Sequence, residues 1–146
     1  MLLKFLVVIA GICLVLQSAF NSQLSTSLKS PILATLVAYM VGILLLISYS
    51  IYNKVNIPSK IIIEETPIHL WFGGAIFSLS GLLIYYYAIP RIGISQTIVY
   101  GLFAQLIFSA IASHFGWFGM PIYPVSALRF FGLLLISSGV FLFSAK

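Results

Sequence analysis

The chain has 146 residues, of which 62% are hydrophobic and only 6% charged. A water-soluble domain of this size carries about 25% charged residues, so there are too few charges to clothe a water-facing surface, and an integral membrane protein is expected. Seven Lys and Arg against two acids leave a net charge of +5. The basic residues are scattered and form none of the clusters that nucleic acid requires.

No hydrophilic stretch is long enough for a second unit, so residues 1–146 read as a single transmembrane domain. A spanning helix needs about 20 mainly apolar residues, and five segments qualify. Their length and lack of period-2 alternation argue against strands, so the fold class is an all-α integral membrane protein of five transmembrane helices.

The first span covers about residues 2–22. Its opening could be mistaken for a signal peptide, but Gln17 and Ala19 make a poor cleavage pair, and the segment reads as a retained helix. Cys13 is the only cysteine; it lacks partners for a disulfide or a metal and reads as a small packing residue. The segment ends in the uncharged polar run QSAFNSQLS. Gln17 and Asn21 are four apart and share a helix face, which can carry the helix on toward Leu28. Ser18, Ser22 and Ser25 form a neighbouring stripe. An amide is costly in hydrocarbon when unpaired, so this face turns to protein, water or a ligand. Two readings stand: glue between helices, or the lining of a cavity.

The second span covers about 31–52, with Pro31 well placed at a helix start. The connection that follows holds Lys54, Lys60, Glu64 and Glu65, and Ile61 to Ile63 suggest a short interfacial stretch. The third span, about 68–89, is expected to stop at Pro90. Gly73, Gly74, Ser78 and Gly81 give it a small-residue face, for packing or to keep a cavity open, and Tyr85, Tyr86 and Tyr87 read as interfacial anchors. The fourth span, about 92–113, repeats Gly101, Gln105, Ser109 and Ser113 every four residues, preceded by Gln96, Thr97 and Tyr100. The loop FGWFGMPIYP follows; Trp117 and Tyr123, with Trp71, are expected at one membrane–water boundary. The fifth span, about 125–143, carries Gly132 and Gly139 seven apart, a face for helix packing or dimerisation. Arg129, near its start, either snorkels to the interface or captures an anionic group.

Both acids lie in a connection, so no span holds a carboxylate, the usual proton relay of coupled transporters. His69 and His114, near helix ends, read as interfacial histidines bonded to water or a carbonyl. No nucleophile, metal-ligand or phosphate-cradling motif is present, and neither catalysis nor a cofactor or metal is expected. The candidate cavity residues are Gln17, Asn21, Gly74, Tyr100 and Gln105. Their uncharged lining suits a neutral or zwitterionic small molecule.

Five spans place Lys4, Lys54, Lys60 and Arg129 on one side and Lys29, Arg91 and Lys146 on the other. Orientation follows an asymmetry in Lys and Arg, and here there is almost none. Copies of opposite orientation would build an inverted-repeat assembly.

The run QSAFNSQLSTSLKSPILATLVAYMVG, with Gln17, Asn21 and Leu24, resembles the start of YdcZ-like proteins of the drug/metabolite transporter superfamily. WFGGAIFSLSG, IPRIGIS, GLFAQLIFSAIASHFG and RFFGLLLISSGVFLF follow in family order. Ser113 departs from the pattern, which commonly has Asp before His-Phe-Gly, so a role for an acid there does not carry over. The resemblance implies a five-helix half unit of a ten-helix transporter, working as a dimer, and a multi-pass exporter of small molecules in the bacterial inner membrane. A non-transporting subunit, such as half of a heteromeric transporter, and a lipid-acting membrane enzyme are the alternatives.

Overall fold

A computed structural model describes residues 2–119 and 121–145; Lys146, counted in the charge tally, and Met120 of the aromatic loop lie outside the described residues. The helices are α1 (Leu2–Ser27), α2 (Pro31–Tyr52), α3 (Lys60–Glu65), α4 (Ile68–Ile92), α5 (Ile94–Phe115) and α6 (Ala127–Ser144), with a 3₁₀ turn at Trp117–Gly119. All but α3 are long and apolar enough to cross a membrane, and no strand occurs among the described residues. The chain divides into two compact units, Met1–Arg91 and Ile92–Lys146.

In the first unit α1 and α2 form a tight hairpin. Small side chains allow the close approach: Ser18, Ser22 and Ser25 on α1 and Ala34 and Thr35 on α2 are buried. Ser18 donates to the Leu14 carbonyl and Thr35 to the Pro31 carbonyl, each at 2.8 Å, so these hydroxyls are satisfied inside their own helices. The turn between the helices is economical. The Ser30 N–H bonds the Ser25 carbonyl and the Lys29 N–H bonds the Thr26 carbonyl, a Schellman motif with Lys29 left-handed at φ 52°. Ser30 then caps α2, its hydroxyl accepting from the Leu33 N–H, and Pro31 occupies the first turn. The C-terminus of α2 repeats the device: the Val55 N–H bonds the Ser50 carbonyl and Lys54 takes φ 50°. The stretch expected at the interface folds as the short helix α3, where Lys60 and Glu64 pair across one turn at 3.5 Å.

Helix α1 runs to Ser27, 26 residues in all, carried on by its polar face as expected, and the Schellman closure ends it. The end of the third span differs from expectation. Helix α4 continues through Pro90 to Ile92. A proline in the last turn forfeits one backbone bond, to the Tyr86 carbonyl, and few residues beyond it are disturbed. The break falls instead at Gly93, whose φ 86° and ψ 155° lie in a region open essentially to glycine alone. The fourth span accordingly starts at Ile94, not Ile92.

In the second unit α5 and α6 pack together. Gly116, at φ 66°, caps α5, and Ser126 caps α6 through the Arg129 N–H. The loop between them is tied at several points. The Tyr123 N–H bonds the Ser113 carbonyl at 2.9 Å, and the Val125 N–H donates to His114 Nδ1 at 3.0 Å. Trp117 stacks on Phe115 and meets the edge of Phe108, both at 6.0 Å.

Candidate functional site

The polar end of α1 builds the centre of the first unit. Asn21 Nδ2 donates to the Tyr86 hydroxyl of α4 at 2.9 Å. Gln17, one turn earlier on the same face, is itself exposed and makes no geometric hydrogen bond to that hydroxyl. Tyr86 is 0% exposed. A second tyrosine makes a similar link, Tyr39 of α2 sharing a 2.7 Å hydroxyl–hydroxyl bond with Ser78 of α4. Helix α4 is thus joined to α1 and α2 through long side chains that end in hydroxyls. The buried phenol is satisfied by a half-buried amide, which removes the penalty the hydroxyl would incur alone.

Tyr86 therefore corrects the reading of the Tyr85–Tyr87 run as interfacial anchors. The three residues point in different directions on one helix. Tyr86 enters the core beside Ile89, Tyr85 is half-buried, and Tyr87 is 54% exposed with the Arg91 guanidinium 3.5 Å above its ring. The available signal was the three-residue spacing of Tyr86 and Ile89, one face of the helix.

The other expected residues are placed as follows. Gly74 is exposed on α4, about 18 Å along the helix axis from Tyr86 at 1.5 Å per residue. No atom lies within 4 Å of where its Cβ would be. Tyr100 and Gln105 belong to the second unit. Both are exposed there, and neither bonds a described residue of that unit. Gly139 lines an apolar groove of about 250 Å³ with Val99, Leu102 and Phe103 of α5 and Ile136 and Val140 of α6. Gly132 is half-buried, and a Cβ on either glycine would meet nothing within 4 Å.

Two residues read as interfacial have defined partners. His114 accepts the Val125 N–H at Nδ1, in place of a bond to water or a carbonyl, so its ring proton sits on Nε2. Arg129 donates to the Tyr123 and Pro124 carbonyls at 3.3 and 3.4 Å and clasps its own loop.

Five helices of membrane-spanning length define an all-α polytopic membrane protein, and in its first unit uncharged amides and hydroxyls bond between helices. Residues 2–142 match the family described as "Putative inner membrane exporter, YdcZ". The chain belongs to this family. No curated protein and no solved structure matches it.

Proposed function

We propose that the chain transports a small neutral or zwitterionic molecule, working as a homodimer by alternating access. The observation that carries this reading is the Asn21–Tyr86 bond between helices of membrane-spanning length, with Gln17 one turn from Asn21 along α1. These groups offer exchangeable donors and acceptors, and a ligand amide or hydroxyl can replace the Tyr86–Asn21 partnership without leaving a buried group unpaired. Gln105, unbonded within its own unit, is a further candidate contact, because an amide on such a helix needs a partner. Family membership supports export as the direction, and the four-against-three division of Lys and Arg favours insertion in both orientations.

Flux of a panel of neutral and zwitterionic amphiphiles into proteoliposomes tests the site. Gln17→Leu and Asn21→Leu are each expected to cut flux about tenfold, the loss of one hydrogen bond to the substrate of about 1.4 kcal/mol. Wild-type flux in folded variants overturns the assignment. Reporters fused to the C-terminus are expected to be active on both sides of the membrane; activity on one side alone overturns dual orientation while leaving the transport reading intact.

A further inference from the structure

A cavity in the first unit, about 390 Å³ and half-open, lies where α1 ends, α2 begins and α4 ends. This volume is in the range of small-ligand clefts. Two cations line it, Lys29 and Arg91. Neither has a carboxylate partner among the described residues, since the only acids, Glu64 and Glu65, lie in α3, beyond the far end of α2. Arg91 is held in place: its Nη1 donates to the Tyr87 carbonyl and its guanidinium stacks on the Tyr87 ring. Four of its five N–H donors remain for a ligand. Ser25, also on the cavity wall, is 4% exposed, and its hydroxyl bonds no described residue. The site therefore offers a fixed fork, a mobile ammonium and an unpartnered hydroxyl, which is a donor set for a phosphate.

We propose that this cavity binds the phosphodiester of an anionic phospholipid. Its position at the ends of membrane-spanning helices is where headgroups lie, and basic pockets between such helices are suited to anionic headgroups. Pro31 and Pro90 form apolar walls, and Leu28 and Ile32, next in the chain to the lining residues Lys29 and Pro31, are exposed, giving acyl chains an apolar surface. A soluble anion would gain nothing from these. Tyr86 lines this cavity too, but the proposed phosphate donors, Lys29, Arg91 and Ser25, are not among the transport residues, so Lys29→Asn tests this site without touching Gln17, Asn21 or Tyr86.

The test is thermal unfolding of the purified full-length protein in a neutral detergent, titrated with short-chain phosphatidylglycerol, short-chain phosphatidylcholine or glycerol 3-phosphate. Phosphatidylglycerol is expected to stabilise at the lowest concentration. Lys29→Asn, which tolerates the left-handed backbone there, and Arg91→Gln are each expected to weaken its apparent affinity about fivefold. Lys54→Asn, the same change at the matching position after α2, is expected to leave it unchanged. Equal stabilisation by phosphatidylcholine, or an equal loss in Lys54→Asn, overturns the site. Equal stabilisation by glycerol 3-phosphate overturns the lipid assignment in favour of a soluble phosphate ligand. Should Arg91→Gln or Lys29→Asn not fold, wild-type protein decides by salt: phosphatidylglycerol affinity that does not fall between low and high ionic strength overturns the proposal.

Discussion

The two units hold their helices together by different means. In the first, side chains bond across helices, Asn21 to Tyr86 and Tyr39 to Ser78, and the turn between α1 and α2 is short and fully capped. In the second, α5 and α6 meet through an apolar groove. Its specific bonds are concentrated in the connecting loop, at Ser113–Tyr123, His114–Val125 and the Arg129 clasp. The difference teaches where specificity resides when apolar surface cannot supply it. Lipid tails are as apolar as leucine, so hydrophobicity does not choose a neighbour. One unit chooses by polar pairs along the helices, the other by a loop that fixes how two helices are joined.

This contrast can be broken most severely at Tyr86. Tyr86→Ala removes a fully buried ring and is expected to destabilise the protein by about 3–5 kcal/mol, read as a lowered unfolding midpoint in detergent. A smaller loss than Gly74→Ala causes would show that the first unit is not held through this residue. The polar component is isolated by a cycle of Tyr86→Phe and Asn21→Leu. A coupling of about 0.6–2 kcal/mol is expected; strictly additive effects would mean that the 2.9 Å bond contributes nothing. The smallest effect belongs to the second unit. His114→Ala is expected to cost about 1 kcal/mol or less and to speed hydrogen exchange at the Val125 amide while leaving α1 and α2 protected. Unchanged exchange at Val125 would remove His114 from the loop's supports.

Much of the fold was legible in the residues. Each apolar run of spanning length became a helix, and Pro31 opened α2 as its chemistry suggests. The misjudged boundary is the end of the third span. The ring of Pro90 is a local signal that a last-turn position tolerates, and the chain breaks only at Gly93, whose geometry is open essentially to glycine alone. The site was legible in half. The four-residue spacing of Gln17 and Asn21 identified the polar face of α1, but nothing local marked Tyr86 as its partner among three consecutive tyrosines. Lys29 and Arg91 were counted for orientation only, since residues so far apart in the chain share a cavity only once α4 has folded back.

The sequence by itself determined the class of protein. A chain with so few charges belongs in lipid, and backbone groups in lipid must be satisfied within each segment, so long apolar runs become spanning helices whatever their neighbours. The tertiary structure alone decided which polar groups meet. Pairing Asn21 with Tyr86, or gathering two cations and a serine hydroxyl around one cavity, depends on the rotation and register of helices against one another. Apolar surface leaves those nearly free in a membrane, and the few hydrogen bonds that succeed set them.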